Sequence, residues 1–143
     1  MTQPIEGAIT QIAAVVKAVS GVADAPTYPP DNITYSPFAI TYVSNAHLDA
    51  GPIGTRRDFL SVAIDLLVPM RKLDQDMAVL EPLLDPIILA LLGEVSGDGA
   101  RFLGTISTFE SLEMSYIPDV DYAGVHMRGY RFLMNKVKIL VNI

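Results

Sequence analysis

Few residues of this sequence could carry out catalysis, and their spacing matches no catalytic motif. The chain contains two histidines, His47 and His126, and no cysteine. Ser44 and Asp49 are close to His47 in the sequence. Nucleophilic catalysis, however, needs a nucleophile beside a base that a third group orients, and no local signature of such a site is present. His47 is therefore interpreted as a polar loop residue, and His126 as a residue on the face of a strand.

A second group of polar residues has the chemistry to bind a hard cation. Four acidic residues follow one another at short intervals: Asp74, Asp76, Glu81 and Asp85. An EF-hand loop needs oxygen ligands at alternate positions, a central glycine and a late glutamate, and this stretch has neither the spacing nor the glycine. Capping and solvation of a helix start explain these carboxylates better. We expect no metal and no cofactor.

Acidic and basic residues are concentrated in different parts of the chain. Residues 73–121 contain ten acidic residues and one basic residue, whereas residues 122–143 contain four basic residues and no acidic one. A surface divided in this way can complement itself from one copy to the next, which favours a partner-binding protein over an enzyme. A head-to-tail contact between identical chains closes into a ring when the rotation allows it.

The residues expected at a subunit or partner boundary combine basic, aromatic and acidic side chains. They are Arg56, Arg57, Arg128, Tyr130, Arg131, Phe132, Lys136, Lys138, Asp74 and Asp76. We expect Arg128→Glu combined with Arg131→Glu to weaken self-association and to leave the monomer folded. An alternative stays open: in a hairpin that turns near Asp119, Glu110 falls opposite Arg128, and such pairs within one subunit contribute roughly 0.2–1 kcal/mol.

The pair Arg56 and Arg57 has two interpretations of equal weight. Two adjacent guanidinium groups can bind phosphate or the carboxylates of a neighbouring chain. They can equally be solvated bases beside Asp58.

Composition limits the class of protein. A length of 143 residues fits one domain, residues 1–143, with its own core. Half of the residues are hydrophobic and the mean hydropathy is +0.36, so either both faces of a sheet are covered or apolar surface is kept for partners. The most apolar run, residues 87–92, is far shorter than the roughly 20 residues that span a bilayer. Residues 1–6 lack the basic start of a signal peptide, so we expect an unexported protein.

The pattern of apolar residues predicts two helices and four strands. Helical spacing covers residues 4–19 and residues 74–92, the second with interruptions at Pro82 and Pro86. Strand patterns are predicted over residues 38–43, 58–68, 102–114 and 125–141, the last with bulges near Gly129 and Asn135. The fold class is therefore α+β, an antiparallel sheet of about four strands with two main helices packed on one face.

The segments between these elements are also distinctive. Residues 24–37 contain four prolines and are predicted to be an extended connector. Residues 44–57 are polar and glycine-bearing, which predicts a long loop of the kind that is usually functional. Turns are expected at residues 94–100 and 117–121.

This order of features resembles the tail terminator (tail completion, or head–tail joining) proteins of long-tailed bacteriophages. The matching features are the size of the chain, an amphipathic opening helix and a proline-rich connector. A strand, a long loop and a long alternating strand follow, then a helix that ends in Leu-Leu-Gly at residues 91–93. The last strand reads Asp-Tyr-Ala-Gly-Val-His-Met-Arg-Gly-Tyr-Arg-Phe-Leu-Met over residues 121–134. The resemblance covers nearly the whole chain.

The resemblance implies a structural protein and no enzyme. Such proteins form hexameric rings that cap the finished tail tube, stop its polymerisation and present a surface to the neck of the filled head. The implied partners are copies of the same chain, the tail tube protein and the head–tail stopper or neck protein. DNA passes only transiently through the central channel, and no membrane is involved. The implied location is the virion, with assembly in the host cytoplasm, and the implied contact loops are residues 44–57 and 94–100.

Other functions remain as alternatives. A neck stopper or adaptor, or a tail-tube subunit, belongs to the same structural class. A small cytoplasmic α+β enzyme or ligand-binding domain belongs to a different one, with a pocket under the long loop and activity that depends on His47 or Arg56. A DNA-binding module fits least, because the chain carries a net charge of −6.

Overall fold

The computed structural model describes residues 4–27, 36–50, 56–93, 106–122 and 124–139. Within these ranges the chain forms two helices and five strands, which confirms the predicted α+β class. In chain order they are α1 (Pro4–Lys17), β1 (Phe38–Ala50), β2 (Arg56–Pro69), α2 (Leu73–Gly93), β3 (Ile106–Thr108), β4 (Ser111–Tyr122) and β5 (Val125–Ile139).

The strands form one antiparallel sheet that is four strands wide. β1 pairs with β2, and β2 pairs with β5. The far side of β5 is shared by β3, opposite Ile139 and Lys138, and by β4, which pairs from Asn135 back to Val125. The predicted third strand is thus two strands along one side of β5, because the pairing is interrupted around Glu110.

Both helices pack on the same face of the sheet and form the main core with it. The alternation predicted for the second strand is confirmed, since its alternate residues Leu60, Val62, Ile64, Leu66 and Val68 all belong to this core. The helices contribute the buried residues Ala8, Ile9, Ile12 and Val16 from α1 and Leu80, Leu83, Ile87 and Leu91 from α2. One apolar stripe on each helix is enough to cover this face.

The opposite face carries a second, smaller apolar cluster. Phe38, Ile40, Leu67 and Met127 are buried there. The rings of Phe38 and Tyr122 meet edge to face with centroids 6.4 Å apart, although β1 and β4 are separated by two strands. The sheet therefore curls, and the end of the β4–β5 hairpin covers part of the helix-free face.

The predicted long loop over residues 44–57 is wrong. β1 continues to Ala50 and β2 begins at Arg56, so the two strands form a long hairpin, and residues 51–55 lie outside the described residues. Residues 43–48 are exposed, and an exposed strand segment can have the same polar composition as a loop. Pairing across the hairpin, as between His47 and Phe59, nevertheless satisfies the backbone.

The predicted interruption of the second helix is also wrong. α2 is one helix with Pro82 and Pro86 inside it, and both prolines are exposed. A proline leaves the carbonyl four residues earlier without its helical hydrogen bond. Here those carbonyls belong to Ala78 and Pro82, which lie on the exposed side of α2, where water can bind them.

The turn predicted at residues 117–121 lies further along the chain. β4 runs through this stretch to Tyr122, and Gly124 has the positive φ of 77° expected in a turn. Pro118 falls where the β4–β5 register shifts, between Ile117 and Val120, so it fits a strand irregularity. The predicted turn at residues 94–100 lies outside the described residues.

One of the two predicted bulges in the last strand is confirmed. The β2–β5 register shifts between Leu60 and Val62, opposite the stretch that contains Asn135. Lys136 in this stretch has a φ of 52°, which is rare for a residue other than glycine. Beside Gly129 the β4–β5 register also shifts, between Gly129 and Met127, but the extra residue lies on β4. Towards β2, Gly129 pairs regularly with Leu67, where a Cβ atom would lie 1.7 Å from the carbonyl oxygen of Leu66.

Candidate self-association surface

Arg128, predicted at a subunit boundary, is bound inside the chain. Its Nε lies 3.0 Å from Oδ2 of Asp76, and its side chain is 12% exposed. Asp76, also predicted at the boundary, is fully buried, and its Oδ2 accepts the backbone N–H of Arg71 at 2.9 Å. Arg128 Nε has no aligned hydrogen bond among the described residues, so its contact with Asp76 is electrostatic. This pair joins the start of α2 to β5 and offers no surface to a partner.

Arg131 is likewise paired within the subunit. Its Nε and one terminal nitrogen donate to the two oxygens of Asp65 at 2.8 and 3.1 Å. Asp65 is buried on the helix-free face and also accepts the hydroxyl of Tyr42 at 3.0 Å. The hydrogen bond to Asp65 raises the pKa of Arg131 further above its usual value. Burial and the neighbouring Asp65 carboxylate raise the pKa of Tyr42 to about 12.

These two pairs overturn the expected effect of reversing both arginines. Arg128→Glu and Arg131→Glu would each place a second carboxylate against a buried aspartate, Asp76 or Asp65. Breaking the buried pair of Arg128 and Asp76 costs about 3–5 kcal/mol, and loss of the partly exposed Arg131 adds to it, so the double variant is expected to unfold the monomer. It is therefore no test of self-association.

The predicted aromatic residues of the last strand belong mainly to the core. Phe132 is fully buried, so its place at a boundary is wrong. Tyr130 is half-buried, and its ring lies 5.6 Å from that of Tyr116 on β4. Its hydroxyl donates to the sulfur of Met77 on α2 at 3.6 Å. The pairing register of β5 places both rings on the face of the sheet that the helices cover.

Four of the predicted charged residues are exposed: Arg131, which pairs with Asp65 as described above, and also Lys136, Lys138 and Asp74. Lys136 Nζ lies 3.0 Å from Oε2 of Glu110, and Lys138 is exposed near the end of β5. Asp74 is exposed in the first turn of α2, where its Oδ1 accepts the backbone N–H of Gln75 at 3.0 Å. The predicted pairing of Glu110 with Arg128 is wrong because the hairpin turns at Gly124, five residues later than Asp119. The side chains of Arg56 and Arg57 lie outside the described residues.

The surface that is open for a partner is the outer edge of β4. Within the described part of the chain, β4 pairs only with β5. Two large apolar side chains on this strand are exposed, Met114 at 46% and Tyr116 at 44%. A sheet edge offers unpaired N–H and C=O groups to another strand, and exposed apolar side chains beside it add affinity. Sequence reasoning missed this surface because it placed a turn inside the strand.

β1 has a second open edge along its later half. Its beginning is covered by the segment after α1: the N–H groups of Ala39 and Thr41 donate to the carbonyls of Asp24 and Pro26 at 3.0 and 3.2 Å. Beyond Thr41, no described segment pairs with the outer side of β1. Leu48, 56% exposed, lies in this part.

An open pocket of about 400 Å³ lies where the sheet irregularities meet. It is lined by Asn45, Ala46, His47, Phe59, Leu60, Ser61 and Lys136. It is the place where a ligand-binding alternative would act, and it contains His47 as that alternative requires. Among the described residues, no group of three or more His, Cys, Asp or Glu side chains could hold a metal ion.

His126 lies in the β4–β5 hairpin, away from this pocket. Its Nδ1 is 3.1 Å from Oδ1 of Asp119, and this hydrogen bond raises the pKa of the exposed imidazole.

No helix of the described residues is long and apolar enough to cross a membrane.

No protein-family model matches this chain, and no curated protein matches it in sequence.

Proposed function

We propose that this chain is a structural protein of a long-tailed bacteriophage that forms a ring on the end of the tail tube. The ring ends tail polymerisation and joins the tail to the neck of the head. The proposed partners are other copies of the chain, the tail tube protein and the head–tail stopper or neck protein. DNA crosses the central channel without being held, and no catalytic step is part of the role.

The observation that supports this proposal most is the outer edge of β4, which no described segment covers, with Met114 and Tyr116 exposed beside it. A monomeric protein normally blunts such an edge with lysine, proline or a covering segment. The stretch from Ser111 to Ile117 contains neither lysine nor proline, and Glu113 is its one charged residue. An edge of this kind suits a protein whose working form is an assembly of several copies.

The distribution of exposed apolar residues supports the same proposal. α2 exposes Leu73, Leu89 and Leu92 on its outer side, in addition to the apolar residues of the sheet edges. Apolar surface that the monomer leaves uncovered accounts for part of the high hydrophobic content. A ring touches two neighbours, a tube and a neck, and so needs several contact surfaces on each subunit.

The charge distribution also fits a channel that DNA crosses without being held. β4 carries Glu113, Asp119 and Asp121 and no basic residue. Of the four bases in the last segment, three are paired with acids of the same chain. Phosphate binding needs clustered basic groups, so a surface of this kind gives DNA little to bind.

The ring proposal is tested by native mass measurement of the purified chain over a range of concentrations. A closed ring of one size, about six copies as in the resembling family, is the expected product as concentration rises. A monomer or a two-fold dimer at every concentration, with tail tubes present as well as absent, would contradict it.

The alternatives give different results in the same measurement. A tail-tube subunit would form tubes without a length limit, because its ring stacks on itself. A neck stopper or adaptor would form a ring that binds the neck side and leaves free tail tubes uncapped. The ligand-binding alternative is favoured by the pocket beside His47 and predicts a monomer or dimer whose pocket binds a small molecule.

A further inference from the structure

The two open sheet edges offer stretches of matching length. On β4 the regular stretch runs over residues 111–117 and ends where Pro118 and the register shift begin. On β1 the stretch whose outer side no described segment covers runs over residues 42–50, after the part covered by the segment that follows α1, and its first seven residues, 42–48, match that length. Each seven-residue stretch spans roughly 23 Å at about 3.4 Å per residue.

The directions of the strands also match. The sheet is β1-β2-β5-β4 across, and every neighbouring pair is antiparallel. Because four alternating strands lie side by side, β1 and β4 run in opposite directions. A second copy set beside the first in the same orientation therefore presents its β1 antiparallel to β4, with the helices of both copies on the same side.

The exposed apolar residues of the two edges lie on one face. Val43 pairs with Val62, and Ala46, two residues before Leu48, pairs with Leu60. Cross-strand partners share a face, and both partners on β2 point into the core under the helices. Met114 and Tyr116 are opposite Phe132 and Tyr130, which also lie on the helix side. Edge-to-edge pairing would bring these four apolar side chains together on the helix side.

The distribution of charge favours this head-to-tail pairing over a two-fold pairing. Residues 111–117 contain one acid, Glu113, and no base, whereas residues 42–48 contain no acid and one histidine, His47. Two β4 strands paired over residues 111–117 about a two-fold axis would place Glu113 of each copy opposite Ser115 of the other, so the two Glu113 carboxylates would be diagonal neighbours, and like charges that close are destabilising. It would also leave both β1 edges open.

We infer that residues 111–117 of one copy pair antiparallel with residues 42–48 of the next copy, so that the sheet continues from subunit to subunit. That such contacts close into a ring rests on the proposed function. The β1 stretch has one irregularity, between Val43 and Asn45, so regular pairing is expected on either side of it.

Disulfide trapping tests this contact cleanly because the chain has no cysteine. Opposed residues of an antiparallel ladder lie about 4.5–5.5 Å apart between Cα atoms, which a disulfide can bridge. Val43→Cys or Leu48→Cys chains are mixed with Met114→Cys or Tyr116→Cys chains that carry a mass tag, and are then oxidised at a concentration that assembles the protein. At least one mixed pair is expected to cross-link as a tagged–untagged dimer, whereas the β4 variants alone should not.

The control and the contradicting results use the same mixture. Ala78→Cys, at an exposed position of α2, should cross-link with neither edge above background. Efficient self-cross-linking of Met114→Cys would show a two-fold β4 contact instead. No cross-link in any of the four mixed pairs would also overturn the contact, whether or not the chains assemble. If they still form rings on tail tubes, the proposed function stands without this contact.

A charge placed on the edge gives an independent readout. Met114→Lys is expected to raise the concentration needed for assembly by about tenfold or more, since a buried lysine at the joined edge lacks a partner. The control change Ala78→Lys, at an exposed position of α2, should leave that concentration nearly unchanged, with both variants folded by circular dichroism. Equal effects of the two substitutions would contradict a special role for the β4 edge.

Discussion

Arg128 Nε lies 3.0 Å from Asp76 Oδ2, at the point where α2 meets the last strand of the sheet. The carboxylate is fully buried and also accepts the backbone N–H of Arg71. Arg128 and Asp76 are 52 residues apart in the sequence, and their charge interaction holds the start of α2 against β5. The basic residues of the last strand hold the subunit together before any partner is bound.

Removing this cation should destabilise the monomer. Arg128→Met keeps an apolar stem of similar length but leaves Asp76 buried with a weaker partner, Arg71 Nε at 3.5 Å. We expect a loss of about 3 kcal/mol in the free energy of unfolding, measured by urea titration. Lys138→Met, at an exposed position of the same strand, should change it by no more than about 0.5 kcal/mol. Similar losses in both variants would show that the Asp76 contact contributes little.

The hydrogen bond from Tyr42 to Asp65 should make stability depend on alkaline pH. The pKa of Tyr42 is raised from 10.0 to about 12 in the folded chain, first by burial and then by the Asp65 carboxylate. The folded state therefore keeps this proton at a pH where the unfolded state loses it. The contribution is complete below pH 10 and is lost as the pH rises towards 12.

Tyr42→Phe isolates this contribution. The urea midpoint of the parent chain should fall more steeply than that of the variant between pH 10 and pH 12. At neutral pH the variant should lose about 0.5–1.5 kcal/mol, the usual net worth of one hydrogen bond. Parallel midpoints across this pH range would mean that Tyr42 titrates normally.

Gly129 should tolerate no side chain. A Cβ atom at this position would lie 1.7 Å from the carbonyl oxygen of Leu66, within the β2–β5 ladder. We expect Gly129→Ala to cost about 3 kcal/mol or to prevent folding, because backbone atoms would have to move apart. Gly93→Ala is the matched control and should be nearly neutral, because among the described residues no atom beyond its chain neighbours and its own helix backbone lies within 4 Å of the added carbon. Thermal unfolding of both variants makes the comparison.

Ile64 tests which face of β2 the helices cover. It is fully buried in the core beneath α1 and α2, and Ile64→Ala should cost roughly 2–5 kcal/mol in unfolding free energy. Leu89→Ala, an aliphatic truncation on the exposed side of α2, should cost far less. A near-neutral effect at Ile64 would mean that the strand faces are reversed.

The fold class followed from the sequence because apolar periodicity reports burial directly. The stripe on α1 and the alternation of β2 both mark residues that face the core. The apolar pattern gave wrong predictions for segments that are paired in the sheet but not buried. The outer half of β1 is exposed on both faces, so it has the composition of a loop although its backbone is paired with β2. The sequence predicts breaks at Pro118 and at the α2 prolines, yet each lies where the missing hydrogen bond faces outward or falls at an irregularity.

The interaction surface was harder to predict than the fold. The sequence pattern predicts Arg128 and Arg131 at a partner boundary, but their partners, Asp76 and Asp65, are distant in sequence and become neighbours only in the sheet. Met114 and Tyr116 alternate with Glu113 and Ser115, a pattern that predicts one buried face. Only the strand order shows that β4 is an edge that no described segment covers.

The most direct measurement is negative-stain imaging of tail tubes assembled from the tail-tube protein of the same genome, with and without this chain. The expected result is that tubes stop growing when the chain is added and that each carries one ring at a single end. Tubes that keep growing with bare ends, or a chain that polymerises into tubes by itself, would contradict the proposed role.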